Sequence, residues 1–155
     1  MKFKKLITQE SIELYSYVKD YITLHNDTVI GISTDSLCKS NKIVYATVVV
    51  LYRKGKGGHV LYRREFKERK LYGKASGKNF EKLYYETILS QQVVEILEDF
   101  SPLIDVNLDF NNDPLYFSNN VLLASMGWFK AKGVKVSGKP CCYAQVADEV
   151  VRCVG

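Results

Sequence analysis

Residues 28–64 read TVIGISTDSLCKSNKIVYATVVVLYRKGKGGHVLYRR and contain three apolar runs separated by short polar turns. The middle run, residues 43–52, consists almost entirely of β-branched and aromatic residues, which is typical of a strand buried on both faces. The flanking runs, at 28–34 and 59–64, predict one strand on each side of it. We therefore expect an antiparallel three-stranded meander, with Asp35 at the C-terminal end of its first strand.

Helical and strand patterns follow the meander. Apolar residues at helical spacing predict a long helix over about 78–100, with Glu86 on its apolar side. A strand beginning at Pro102 would place Asp105, Asn107 and Asp109 on one face, because its side chains alternate with period two. This pattern fits either a half-solvated edge strand or a strand whose end places the side chain of Asp109 in a functional site.

Three more helices and one strand complete the pattern. Ser118 is suited to cap a helix running to about Lys132, with Gly133 just past its end. Residues 134–136 predict a short strand, and a terminal helix follows that carries Asp148 beside alanine and valine. Ahead of the meander, Thr8 is suited to cap a first helix that ends near residue 24. The predicted order is a helix followed by β-β-β-α-β-α-β-α.

Length and composition predict one globular domain. The 155 residues are 46% hydrophobic and 25% charged, which is enough apolar material for a single core. We expect residues 1–26 to form a helical extension packed on a compact domain of residues 27–155. No apolar run approaches the roughly 20 residues that span a bilayer, so no membrane partner is expected. Four cysteines without metal-ligand spacing predict free thiols in the cytoplasm rather than a zinc site.

Positive charge is concentrated between residues 53 and 82, a segment that contains eleven basic residues and three acidic ones. Tyrosines and phenylalanines interleave with these charges, a combination suited to phosphate backbones and unpaired bases. For any single residue a solvated surface is the simpler interpretation, but the cluster as a whole predicts a nucleic-acid partner. The candidate nucleic-acid-binding residues are Lys54, Lys56, Arg63, Arg64, Arg69, Lys70, Lys74 and Lys78, with Lys139 ahead of the last helix.

Four acidic residues fall on four different predicted elements, in the order strand, helix, strand, helix. They are Asp35, Glu86, Asp109 and Asp148. A carboxylate is costly to bury without a partner, so several that point to one place usually surround divalent cations. We expect these four to be both the metal ligands and the catalytic residues, holding two Mg²⁺ or Mn²⁺ ions. Glu81 also lies on the apolar side of the long helix and is an alternative to Glu86.

Six short motifs occur in order along the chain. They are Ile30-Gly31-Ile32-Ser33-Thr34-Asp35-Ser36, the Gly55-Lys56-Gly57-Gly58 loop, Glu86 followed by Ser90, Val106-Asn107-Leu108-Asp109-Phe110-Asn111, Ser118-Asn119 and Val146-Ala147-Asp148. Together they resemble the YkuK-like, domain-of-unknown-function-458 branch of the ribonuclease H-like superfamily. The resemblance implies an α/β fold with a mixed five-stranded sheet, three antiparallel strands and then parallel additions, flanked by helices. The N-terminal helix would be an extra, and Asn107 stands where relatives are expected to have His.

The resemblance implies a metal-dependent nuclease that hydrolyses phosphodiester bonds of RNA, an RNA/DNA hybrid or structured DNA. In a two-metal mechanism Asp35 and Asp109 would hold both ions, and Glu86 and Asp148 would complete their coordination. The alternative is a catalytically inactive ribonuclease H-like module that binds nucleic acid or takes part in assembly.

Other chemistries are disfavoured by spacing. Residues 73–79 are one residue short of a nucleotide-binding phosphate loop and lack its Ser or Thr, so no nucleotide cofactor is expected. A nucleophilic Ser or Cys would need a histidine base, and the chain contains only His25 and His59.

Overall fold

The computed structural model describes residues 1–68, 75–108, 118–137 and 142–153. Four α-helices, one 3-10 helix and seven strands lie within these ranges. In chain order they are β1 (Lys2–Lys5), β2 (Ser11–Glu13), α1 (Leu14–Leu24), β3 (Thr28–Lys39), β4 (Lys42–Arg53), β5 (Gly57–Glu68), α2 (Ala75–Ile96), the 3-10 helix (Glu98–Leu103), β6 (Ile104–Asn107), α3 (Ser118–Ala131), β7 (Lys135–Ser137) and α4 (Cys142–Arg152).

The seven strands form one mixed sheet in the order β2-β1-β5-β4-β3-β6-β7. Strands β3, β4 and β5 form the predicted antiparallel meander, and β6 and β7 add in parallel beside β3. The α/β class and the element order from α1 onward are confirmed. The predicted count of five strands is wrong, because an N-terminal hairpin adds two more at the β5 edge.

The N-terminal segment differs from the predicted helix capped by Thr8. Helix α1 begins at Leu14, and its cap is Glu13, whose carboxylate accepts the backbone N–H of Ser16 at 3.0 Å and the terminal ammonium at 2.9 Å. Residues 2–5 instead pair with residues 11–13 and, through Lys4 and Lys5, with β5. The side chain of Phe3 is buried, so this hairpin contributes to the core.

Two strands also depart from the predicted boundaries. Strand β3 continues to Lys39, so Asp35 lies within it, opposite Ala46 of β4, rather than at its end. Pro102 belongs to the 3-10 helix, and β6 begins at Ile104. Strand β6 is flanked by β3 and β7 and its Asn107 is buried, so the edge-strand interpretation is wrong.

Helices cover both faces of the sheet. Helices α1, α2 and α3 pack on one face through a core cluster that includes Val18, Ile32, Val93 and Phe129. Helix α4 packs on the other face, where Ala147, Val150 and Val151 contact alternate residues of β4. Because side chains alternate along β3, its even-numbered residues face α2 and its odd-numbered residues face α4.

No helix within the described ranges is long and apolar enough to cross a lipid bilayer.

Candidate functional site

Asp35 and Asp148 are neighbours across the interface between β3 and α4. The carboxyl of Asp148 lies within hydrogen-bonding reach of that of Asp35. Burial, and then the charge and contact of Asp148, raise the pKa of Asp35 above its usual value. The backbone N–H of Ser36, which donates to Asp35 Oδ1 at 2.7 Å, and the charge of Lys82 act in the opposite direction.

Glu86 approaches the same part of β3 from α2, on the other face of the sheet. It is a buried carboxyl, 4% exposed, and accepts a hydrogen bond from the hydroxyl of Ser36. Burial raises the pKa of Glu86 to about 7, with a smaller contribution from the charge of Asp35, while Ser36 and Lys82 lower it. Glu81 is exposed, so Glu86 is the helix carboxyl that lies beside Asp35.

Two cations accompany these carboxyls. Lys82 Nζ lies 3.9 Å from Glu86 Oε1, one helical turn away along α2. Arg152 Nε lies 2.8 Å from both carboxylate oxygens of Asp148, one turn away along α4. The hydrogen bond to Asp148, and then the charge of Asp148, raise the pKa of Arg152, and the charges of Glu149 and Asp35 add smaller effects. Each pair spans one helical turn, which brings two long side chains onto the same face.

The site lies where the parallel part of the sheet ends. Strand β6 pairs with β3 from Ile30 to Ser33, and Asp35 is two residues farther along β3. In α/β sheets, ligands bind beyond the C-terminal ends of parallel strands. At this level of β3, Asp35 meets Asp148 of α4 on one face of the sheet, and Ser36 meets Glu86 of α2 on the other.

Local packing explains how the two helices reach β3. On the α4 face, Gly31 has no side chain, and the ring of Tyr143 occupies the space where a Cβ would stand, with ring atoms 2.7 Å from that position. On the α2 face, the hydroxyl of Thr34 is 2.9 Å from that of Ser90 and 3.1 Å from that of Thr47. These contacts place both helices close against β3.

The predicted four-carboxylate centre is only partly within the described residues. Asp35 and Asp148 lie beside each other, Glu86 is linked to them through Ser36 from the other face of β3, and Asp109 lies outside the described ranges. Across the part of the chain that the structure describes, no three Asp, Glu, His or Cys side chains are close enough to hold one metal ion. The observed arrangement is a pair of aspartates on one face, with a buried glutamate linked to it through Ser36.

The four predicted nucleic-acid-binding residues whose side chains the structure describes lie apart from one another. Lys54 and Lys56 are exposed in the turn between β4 and β5 and are level with residue 28, so they lie about 23 Å along the sheet from Asp35. Arg63 pairs with Glu65 at 2.8 Å, and Arg64 lies on the α4 face, opposite Ala46. Arg69, Lys70, Lys74, Lys139 and the side chain of Lys78 lie outside the described residues.

Ser36, Lys82 and Arg152 were not predicted as site residues. Lys82 and Arg152 each lie four residues from a predicted ligand, and this helical spacing could have identified them. Ser36 follows Asp35 directly. Only the strand pairing of β3 shows that the side chain of Ser36 faces α2, whereas that of Asp35 faces α4. Asn107 is buried and donates to Ser137 Oγ at 2.7 Å, so it acts in packing between β6 and β7.

A comparison with protein-family models matches residues 12–152 to the model described as Ribonuclease H-like. No curated protein matches the chain. The matched range includes all three neighbouring carboxyls, and the narrower YkuK-like assignment stays a prediction. The match covers most of the 155 residues and agrees with the mixed sheet and its flanking helices. The chain therefore belongs to the Ribonuclease H-like family.

Proposed function

We propose that this protein is a metal-dependent nuclease that hydrolyses phosphodiester bonds of RNA, an RNA/DNA hybrid or structured DNA. The proposal rests on one observation: Asp35 and Asp148 lie side by side just beyond the end of the parallel ladder, and the buried Glu86 is linked to them through Ser36 from the other face of β3. Family membership supports a nuclease-type fold that acts on nucleic acid.

The chemistry of the three carboxyls fits Mg²⁺ or Mn²⁺. Both ions prefer oxygen ligands, and carboxylates are the usual protein ligands in phosphoryl-transfer sites. The raised pKa of Asp35 reflects the burial of a negative charge beside that of Asp148. A divalent cation would relieve that repulsion. We propose Asp35, Glu86 and Asp148, together with Asp109 on sequence grounds, as the residues that hold two ions.

Bound divalent cations would lower the pKa of an attacking water and stabilise the leaving oxygen. Ser36 would fix the carboxylates, because its backbone N–H holds Asp35 and its hydroxyl holds Glu86. Lys82 would limit the negative charge around Glu86 when the site is empty. Such supporting hydrogen bonds orient ligands and tune their affinity.

A second candidate function is binding of nucleic acid without cleavage. The observation that favours it is the pairing of Lys82 with Glu86 and of Arg152 with Asp148, which balances two of the three carboxyls by side chains of the protein itself. In that case the carboxyls would have a structural role and would not affect nucleic-acid binding.

A cleavage assay with matched variants separates the two functions. Labelled single-stranded, duplex, hybrid and four-way-junction substrates would be incubated with Mn²⁺ or EDTA. Asp35→Asn and Asp148→Asn keep the side-chain shape, and Asp20→Asn, on the exposed side of α1, is the control. We expect cleavage that EDTA abolishes and that each site variant reduces by at least about 100-fold, because even supporting residues at metal sites account for about 10–100-fold.

The control variant should cleave like the wild-type protein. Binding without cleavage of any substrate, unchanged in Asp35→Asn and Asp148→Asn, would establish the second function instead.

A further inference from the structure

A cavity of about 400 Å³ opens on the α4 face of the sheet, on the side of α4 where β5 and β1 lie. We call it the hairpin cavity, because the N-terminal hairpin forms one wall. Its lining includes Lys2, Lys4, Ser11, Tyr62, Arg64 and Phe66. Sites for small molecules usually measure about 300–1,000 Å³, so this cavity could hold one nucleotide.

Three positive charges surround the hairpin cavity. Lys2 and Lys4 come from β1 and Arg64 from β5, and none of the three forms an ion pair with a residue in the described ranges. The cavity's lining residues in those ranges include no acid. Like charges around one cavity repel each other, so this arrangement favours an anion.

Arg64 provides a second and independent sign of a ligand. Its Nε is buried and has no hydrogen-bond partner among the described residues, whereas Nη2 donates to Tyr62 Oη at 3.5 Å. The guanidinium also lies over the ring of Tyr62, 5.0 Å from its centroid. A buried donor without a partner is costly, and guanidinium groups bind phosphate through paired N–H donors.

An aromatic ring stands at the rim of the same cavity. Phe66 is 59% exposed, although it is a large apolar side chain on a strand. Exposed rings beside positive charge are the usual platforms on which unpaired bases stack. Phosphate-binding charge and a stacking ring thus occur together at the hairpin cavity.

We propose that the hairpin cavity binds one nucleotide of a single-stranded nucleic acid, with its phosphate at Lys2, Lys4 and Arg64 and its base on Phe66. This inference rests on the proposed function and specifies its substrate as one with an unpaired segment. The pairing of Asp35 with Ala46 and of Ala46 with Arg64 puts two strand spacings, about 10 Å, between Asp35 and Arg64. Ala46, between them, is buried under α4, so a strand that occupies both the carboxyl site and the cavity must pass around this helix.

Binding in EDTA tests the cavity separately from cleavage. Fluorescence anisotropy of a labelled oligothymidylate and a labelled blunt duplex would be measured against NaCl concentration. Lys2→Ala with Lys4→Ala removes two charges, and Lys19→Ala with Lys130→Ala removes two from helices on the opposite face as the control. Lys2, Lys4 and Phe66 are exposed, so these substitutions leave the core intact.

We expect the wild-type protein to prefer the single strand. The Lys2 and Lys4 variant should bind about tenfold more weakly and lower the slope of log K against log salt by up to about 0.7, because both lysines contact the same phosphate. Phe66→Ala should weaken binding about tenfold at an unchanged slope. If the cavity variants bind as tightly as the control variant, the hairpin cavity does not bind a nucleotide, even if the wild-type protein cleaves. If the variants lose affinity as expected but the wild-type protein shows no metal-dependent cleavage, the nucleotide site is supported and only the proposed nuclease activity is wrong.

Discussion

Ser36 donates a hydrogen bond from its hydroxyl to Glu86 across the interface between β3 and α2. Its backbone N–H donates to Asp35 on the other face of the strand, at 2.7 Å. One residue therefore links carboxyls that belong to opposite faces of the sheet, and its substitution should affect the protonation of Glu86.

Ser36→Ala should destabilise the protein in a pH-dependent way. The hydroxyl lowers the pKa of Glu86, so its loss leaves a buried carboxylate with one donor fewer. We expect a loss of about 1–3 kcal/mol in the free energy of unfolding near pH 8, and less near pH 5, where Glu86 is protonated. Urea unfolding in EDTA at both pH values would measure it.

The matched control for this change is Ser101→Ala, which removes a hydroxyl that donates to the carbonyl of Glu98 at an exposed position. Its effect should not depend on pH. Equal losses for Ser36→Ala at both pH values would contradict a role in holding the Glu86 carboxylate.

Glu86→Gln should remove a pH dependence of stability. The folded-state pKa of about 7 exceeds the usual value of 4.5, so between these values the folded protein binds more protons than the unfolded chain. Stability therefore falls as pH rises through this window and stays low above it. The variant should lack this fall and exceed the wild type near pH 8 by on the order of 3 kcal/mol. Urea unfolding across the window would measure both slopes.

Glu95→Gln, on an exposed position of the same helix, is the matched control and should keep the slope of the wild-type protein. A wild-type stability that is flat across this pH window in EDTA would show that Glu86 is not held in a raised-pKa environment.

Divalent cations should stabilise the wild-type protein through Asp35. At a Mn²⁺ concentration about 100 times Kd, binding adds about 2.7 kcal/mol, which corresponds to a rise in Tm of roughly 5–10 °C for a domain of this size. Protons compete with metal for carboxylates, so the rise should be larger near pH 8 than near pH 5. Differential scanning calorimetry of wild-type protein, Asp35→Asn and the control Asp20→Asn would measure it. The same rise in Asp35→Asn would show that the ion binds elsewhere.

The element order could be predicted because long periodic segments carry strong signals. The run at 43–52 and the helix around Glu86 are examples. The hairpin was missed because β1 and β2 have four and three residues, too few for a clear alternation, although Phe3 between Lys2 and Lys4 shows one. These short strands form because β5 offers a partner to β1, which in turn pairs with β2, and this pairing depends on residues distant in the sequence.

The candidate site was predicted in part for a similar reason. Asp35, Glu86 and Asp148 could be chosen because carboxyls among apolar residues are unusual. Ser36 links Asp35 and Glu86 because the two carboxyls lie on opposite faces of β3. The register of β3 with β4 determines which residues occupy each face, and the sequence alone does not give this register. The basic residues were predicted to act as one cluster because they are close together in the sequence. The hairpin between β4 and β5 carries Lys54 and Lys56 away from Asp35.

Gly31→Ala should destabilise the protein and disturb the site through Tyr143. A Cβ at position 31 would lie 2.7 Å from atoms of the Tyr143 ring, closer than van der Waals contact allows, so this ring must move and is expected to push the first turn of α4 away from β3. Overpacking of this kind typically costs about 1–3 kcal/mol. Because α4 also carries Asp148, the displacement should weaken Mn²⁺-dependent stabilisation as well. Urea unfolding and the calorimetric Mn²⁺ titration would measure the two effects.

A double-mutant cycle separates the steric clash from other effects of the alanine. In a Tyr143→Ala background, Gly31→Ala should cost less than it does alone, because the ring that it meets has gone. Gly127→Ala, at an exposed position of α3 with no atom within 4 Å of the added Cβ, is the control. It should stabilise the helix by roughly 0.5–1 kcal/mol. Equal costs of Gly31→Ala in both backgrounds would show that Tyr143 does not set the distance between α4 and β3.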